Sequence, residues 1–213
     1  MLPAIPSELL RLYEPFSFRE SLYLRARWRL CPFETIEALV PRSGKILDFG
    51  CGYGILANLL SLRSSSRHVR GLDRNKERIS VAMRSTTDRN NIAFTLGDVG
   101  TMQIESYDGV VMTDVMHHLS ERNARVILRK IRSCLRLGGI LVILDVDRSP
   151  FWKFWITYSI DRCLNPLNSL HYRSSRSMTT MLEQFSFAVH KIIPAHRGLP
   201  LSDIIYLCQA KPA

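Results

Sequence analysis

Short β-rich runs alternate with stretches of helical periodicity from residue 45 to 146, and this alternation limits the fold more than any other feature of the chain. Runs at 45–49, 68–72, 92–96, 107–115 and 140–146 have strand length; the first three lead into Gly50, Asp73 and Gly97, and the fourth carries apolar, β-branched residues between polar ends. Helical spacing fills the gaps. One helix is expected after Gly54, at 55–62, and a second from Asn75, a good N-cap, to Arg84. A third starts at Ser120, carries Val126, Ile127, Ile131, Cys134 and Leu135 on one face, and stops at a C-cap formed by Leu137-Gly138-Gly139. Strands that alternate with helices form a parallel sheet covered on both faces. A further helix capped by Ser177 and two strands at 189–194 and 204–209 complete the pattern. The link between those two strands is too short for a helical crossover, so they should pair antiparallel at the sheet edge.

The 213 residues suffice for one well-cored domain. Residues 1–40 read as helical pieces broken by Pro3, Pro6, Pro15 and Pro32, an N-terminal lid segment ahead of a main unit at 41–213. An aromatic-rich insertion at about 150–175 interrupts the β/α rhythm. Its residues Phe151, Trp152, Phe154, Trp155 and Tyr158 spread around a helix, and such a helix must be covered by something. Two covers are compatible with the sequence: the N-terminal segment, or an apolar substrate pocket that opens on a membrane surface, with Arg148, Lys153 and Arg162 meeting acidic headgroups.

At 45–54 the chain reads KILDFGCGYG, a strand that ends in Gly50, Gly52 and Gly54. A dinucleotide turn needs G-x-G-x-x-G, and here the third glycine comes one place early; a phosphate-binding P-loop needs a following Gly-Lys-Ser/Thr, which is absent. Four successive strands each bring a carboxylate to or near the same sheet edge: Asp48, Asp73, Asp98 and Asp114. Buried carboxylates are costly unless they meet donors or cations. They would suit a ligand with a cationic amine, a diol and an exocyclic amino group, and would repel a pyrophosphate.

On these residues the chain resembles the class I S-adenosylmethionine-dependent methyltransferases: ILDFGCGYG is similar to their first motif, GLDRN to the second, LGDVG to the third, YDGVVMTDVMHHL to the fourth, and LRLGGILVIL to the region after it. The resemblance implies an α/β fold, a seven-stranded mostly parallel sheet with an antiparallel last strand and helices on both faces. It implies S-adenosyl-L-methionine as cofactor. Gly50, Cys51, Gly52 and Gly54 would pass close to its methionyl and ribose parts, Asp48 would lie near its amino group, and Asp73 would accept the ribose hydroxyls. Arg74 and Asn75 would flank the adenine, Asp98 would take the adenine amino group, and Val99 would lie against the ring. Asp114, Val115 and His118 would line the passage to the acceptor. MHHL followed by an LGG turn is nearest the small-molecule branch, which includes ubiquinone- and menaquinone-pathway enzymes.

His117 and His118 follow the fourth strand, where an acceptor would arrive, and either is suited to proton removal; packing alone would also explain them. The leading expectation is O-methylation of a hydrophobic, lipid-like or phenolic small molecule, with His118, His117 and Asp114 as candidate catalytic residues. The alternatives are an RNA or protein methyltransferase that uses the basic surface, and a non-catalytic cofactor-binding partner subunit. The net charge of +10 would suit an anionic partner, but the basic residues are spread along the chain and read first as a solvated surface, with a membrane surface next and nucleic acid last. Five scattered cysteines without a C-x-x-C pair argue against a zinc site or a disulfide framework and fit a reducing cytosol. No basic start with an apolar core marks a signal peptide, and no apolar run is long enough to span a bilayer.

Overall fold

The computed structural model describes residues 4–14, 17–86, 89–98, 105–164, 169–195 and 198–212. Three N-terminal helices, α1 (Ser7–Arg11), α2 (Phe18–Leu30) and α3 (Phe33–Leu39), precede β1 (Gly44–Phe49). Then follow α4 (Ile55–Arg63), β2 (Arg67–Asp73), α5 (Lys76–Arg84), β3 (Ile92–Leu96), β4 (Tyr107–Thr113), α6 (Glu121–Cys134), β5 (Leu135–Val146), α7 (Phe151–Leu164), α8 (Ser175–Gln184), β6 (Phe187–Pro194) and β7 (Asp203–Ala210). One turn of 3-10 helix, Met116–His118, lies between β4 and α6.

The seven strands form one sheet in the order β3-β2-β1-β4-β5-β7-β6. β7 runs antiparallel between β5 and β6, and the other neighbouring pairs are parallel, as the element order predicts. Period-two alternation sorts side chains to two cores. Ile46, Val111, Val142 and Leu144 pack on the face that carries α4, α5 and the N-terminal helices. Leu47, Val110, Met112, Leu141 and Ile143 pack on the face that carries α6 and α8.

The N-terminal helices share the first core through Leu9, Tyr13, Leu24, Trp28 and Ile36. The side chain of Arg67 is completely buried and fastens them to the sheet. Its guanidinium pairs with Glu37 at 2.6 Å and donates to the carbonyls of Pro41, Val40 and Leu60 at 2.7, 3.0 and 3.2 Å. These partners satisfy a charge that burial alone would make costly. α1 and α3 pack on α4. They do not cover the outer face of α7, where Phe151, Trp152 and Trp155 are 67%, 58% and 48% exposed. The expected N-terminal cover over that aromatic face is therefore corrected.

Two helix ends also differ from expectation. α6 stops at Cys134, not at Gly138-Gly139, because Leu135 is extended and already pairs with Tyr107. α8 is capped by Ser174, whose hydroxyl accepts from the Ser177 amide at 3.2 Å, so Ser177 sits inside the first turn. No helix among the described residues is long and apolar enough to cross a membrane.

Candidate functional site

The chain leaves β1 for one face of the sheet and β4 for the other, so their carboxyl ends diverge and open a crevice. A cavity of about 860 Å³ occupies this place. Its walls come from the glycine turn, the ends of β2, β4 and β5, the 3-10 turn, α2 and α7. That volume lies within the range of small-molecule pockets.

The glycine turn divides its labour. Gly50, Gly52 and Gly54 all hold positive φ (79, 54 and 78°), the region that favours glycine. A Cβ on Gly50 would meet Val115 at 2.4 Å and one on Gly54 would meet Phe94 at 2.5 Å, so these two are required by packing inside the protein. A Cβ on Gly52 would meet nothing within 4 Å, and Gly52 lines the cavity. Gly50, Cys51 and Tyr53 line it too, whereas Gly54 starts α4 and is not on the wall.

Asp73 ends β2 on the cavity wall, with Oδ2 accepting from the Gly52 amide at 2.9 Å and Oδ1 from the Asn75 amide at 2.8 Å. Each oxygen keeps a further lone pair for a ligand. Arg74, Asn75 and Asp98 stand beside it on the wall, and Val99 lies outside the described residues. Asp48 is elsewhere: it is fully buried behind the glycine turn and absent from the wall. Burial pushes its carboxyl up to about 7, the nearby Asp73 charge adds to this, and the Ala57 amide offsets part of it without completing a hydrogen bond.

Across the cavity, Asp114 directly follows β4 and takes the left-handed conformation at φ 56°. Its carboxylate accepts from Arg27 of α2 at 2.6 Å. Burial raises the Asp114 carboxyl, but the Arg27 charge, with His117 and His118 behind it, prevails and holds it below the usual carboxylate range. The sequence offered Arg27 only as one of many arginines; the ion pair links positions 87 residues apart.

His117 and His118 both border the cavity, in different surroundings. His117 is 2% exposed, and its Nδ1 contacts Oδ1 of Asp145 at the end of β5. A carboxylate can only accept there, so a proton sits on Nδ1. The His117 ring stacks on Tyr172 with centroids 5.5 Å apart and planes 14° apart. Burial and then the neighbouring His117 push the His118 imidazole down to about 4, against the pull of Asp145 and Asp114, and its Nδ1 has no hydrogen-bond partner among the described residues. An imidazole of that pKa is a poor proton acceptor at neutral pH.

Residues 171–173 clamp the histidine turn. The His171 amide donates to the His117 carbonyl at 2.6 Å. The Arg173 guanidinium donates to the carbonyls of Met116 and Leu119, both at 2.8 Å, which flank the two histidines. Asp145 and Arg173 escaped sequence reading. Asp145 left one signal, an acid inside the otherwise apolar run ILVILDV; Arg173 left none. From α7, Thr157 and Ile160 reach the cavity, and the Thr157 hydroxyl accepts from the Ser202 amide at 3.0 Å.

The wall therefore has two ends of different character. Around Gly52, Asp73 and Asp98 it offers open backbone and carboxylate acceptors, which fit a donor molecule with a diol and an amino group. The histidine turn adds an imidazole held by a carboxylate, and Ile127, Leu144, Val146, Ile160 and Leu201 give the same cavity apolar lining.

A family model described as a methyltransferase domain matches residues 20–192. A ribosomal protein L11 methyltransferase of Dechloromonas aromatica is 32% identical over 120 residues, 56% of this chain and 38% of that protein. An uncharacterized methyltransferase of Bacillus cereus is 29% identical over 164 residues, 73% of this chain and 76% of that protein. A ubiquinone biosynthesis O-methyltransferase of Aeromonas salmonicida is 29% identical over 110 residues, 50% of this chain and 44% of that protein. The chain thus spans less than half the length of two of these three relatives. Among solved structures, the O-methyltransferase NcsB1 from neocarzinostatin biosynthesis, in complex with S-adenosylmethionine and 2-hydroxy-5-methyl naphthoic acid, superposes with a TM-score of 0.70 at 18% identity. The match covers 89% of this chain and 56% of that one.

Proposed function

The chain belongs to the methyltransferase-domain family, the S-adenosylmethionine-dependent enzymes of class I, and from that premise we propose that it methylates a hydroxyl oxygen of an apolar, phenol-like small molecule. The observation that carries the choice of oxygen is the buried His117–Asp145 pair, whose histidine borders the cavity. A neutral amine can attack a methyl donor unaided. A phenolic hydroxyl, with a pKa of about 10, attacks well only as it loses its proton.

S-adenosylmethionine, when bound, supplies a methyl group on a sulfonium sulfur, which departs as a neutral thioether. Asp73 would accept the two ribose hydroxyls, Asp98 the adenine amino group, and Gly52 would let the backbone lie close to the ligand. His117 would take the acceptor's hydroxyl proton at Nε2 as the oxygen attacks. Asp145 would steady the imidazolium that results, and Tyr172 would hold the ring plane. The apolar wall would bind the acceptor's body and exclude water, so that orientation does much of the work. The ubiquinone-pathway relative and the naphthoic acid held by NcsB1 support a hydrophobic aromatic acceptor.

The test is incubation of the protein with isotopically labelled S-adenosylmethionine and a panel of phenols, catechols and aromatic amines. Label on phenolic oxygen, lost in His117→Gln, is the expected result. Label confined to amines, to protein or to RNA would overturn the reading. In parallel, Asp73→Ala should weaken cofactor binding by about a hundredfold, since it removes hydrogen bonds to a charged acceptor, while its circular dichroism stays native.

A further inference from the structure

The α7 helix is built the wrong way round for an ordinary surface helix, which turns apolar residues to the core and charges to water. Phe151, Trp152, Trp155 and Ile156, which are 67%, 58%, 48% and 36% exposed, share one outward face. At 100° per residue they span about 140° of the helix. The opposite side buries Phe154 and Thr157. No Asp or Glu occurs from residue 148 to 160, whereas Arg148 and Lys153 do, and the Lys153 ammonium lies 5.6 Å from the Trp152 ring centroid.

The exposed face of α2 carries the same mixture. Phe18 and Leu22 are 80% and 55% exposed, and Arg19, Arg25 and Arg29 are exposed beside them. The one acid of this helix, Glu20, is turned into the Ser17 capping box and an ion pair with Arg84 at 3.0 Å. Both helices also border the cavity, α2 through Tyr23, Arg27 and Leu30, α7 through Thr157 and Ile160.

We propose that the outer faces of α2 and α7 dock on an anionic lipid bilayer, and that the apolar acceptor enters the cavity from that side. The docking stands on the surface alone; the delivery of an acceptor rests on the methyltransferase reading. Exposed tryptophan and phenylalanine settle at the headgroup level, and neighbouring arginines gain from acidic lipid. A second copy of the chain is a poorer occupant, because it would set arginines against arginines between molecules that each carry +10.

Co-sedimentation with vesicles of phosphatidylcholine alone, and of phosphatidylcholine mixed with phosphatidylglycerol, tests the proposal. Cofactor affinity is measured by calorimetry on the same samples. Binding should need phosphatidylglycerol, fall as salt rises, and shift tryptophan emission to the blue; Trp28 is 1% exposed, so the shift reports Trp152 and Trp155. The double variant Trp152→Ala/Trp155→Ala should bind at least about tenfold more weakly. Arg19→Gln/Arg25→Gln/Arg29→Gln should lose about a hundredfold at low salt. Both should keep wild-type cofactor affinity. Equal binding by the variants, equal binding to phosphatidylcholine alone, no vesicle binding by cofactor-competent protein, or a dimer that the tryptophan variant abolishes would each overturn the docking. Failure of the wild-type protein to bind cofactor would instead overturn the functional reading, and the vesicle result would still decide the docking.

Discussion

His117 and Asp145 stand 28 residues apart in sequence, one in the turn after β4 and the other near the end of the parallel neighbour β5, and meet with each side chain only 3% exposed. The contact fixes which nitrogen carries the proton, and the stack on Tyr172 fixes the ring plane. His117→Gln should therefore lower kcat by about 10²- to 10⁴-fold, the usual contribution of a positioned base. Asp145→Asn should also lower kcat, and the midpoint of its alkaline rise in rate should move to lower pH, because the imidazolium loses its carboxylate. Cofactor affinity should be unchanged in both. An Asp145→Asn enzyme with the wild-type rate and pH profile would remove His117 from the chemistry.

The Arg27–Asp114 pair ties α2 to the end of β4, with each side chain about a quarter exposed (25% and 24%). Asp114 has its folded pKa lowered, with burial opposing and Arg27 prevailing. A depressed carboxylate adds stability above its unfolded pKa of about 3.9 and loses it as pH falls through the folded value. Arg27→Gln should then cost about 1–3 kcal/mol at pH 7, the worth of a charged hydrogen bond in a partly buried site, with the difference from wild type vanishing in strong acid. Urea unfolding at a series of pH values measures this. A difference constant down to pH 2 would mean that Arg27 acts through packing alone.

Asp48 has the opposite sign. Its carboxyl is raised to about 7 by burial, with Asp73 adding to the shift. The folded state therefore holds its proton through pH values at which the unfolded chain has released it. The stability this contributes is complete below about pH 4 and is lost progressively as pH rises toward 7. Asp48→Asn, which cannot ionise, should flatten the stability curve between those limits and be the more stable protein, by a few kcal/mol, at pH 8. Carboxyl NMR would show a wild-type resonance that titrates near neutrality; titration near 4 would refute the burial account.

The β/α alternation was legible because β1, β3 and β4 are short, mostly apolar runs, and β2 ends on Asp73 just before the Asn75 helix cap. The glycine turn was legible because three positive-φ positions in five residues leave few alternatives to glycine. The end of α6 was not. A Gly138-Gly139 pair reads equally well as a helix cap and as an irregular strand start, and the choice is made by Tyr107 and Leu135, which pair across the sheet before the register shifts to Gly109 and Ile140. The histidines were found by their place after β4, but their order was decided by what surrounds them. Asp145 and Tyr172 favour His117 as the proposed base, while burial and the neighbouring His117 lower His118, and neither Asp145 nor Tyr172 lies within helical or strand spacing of the pair.

Arg173 is not on the wall of the cavity of about 860 Å³, yet its guanidinium holds the carbonyls on either side of the His117–His118 turn, and Lys cannot reproduce that fork. Arg173→Lys should loosen the turn and misplace the His117 ring against Asp145. Small displacements of a catalytic group are expensive, so kcat should fall by about tenfold to a hundredfold, with cofactor affinity unchanged. A purely structural residue would lower Tm and leave the chemistry of the folded fraction alone. The discriminating measurement is the pH–rate profile well below Tm. If Arg173 positions His117, the Arg173→Lys profile shifts toward that of Asp145→Asn; a wild-type profile at reduced Tm would show that Arg173 supports the fold and nothing more.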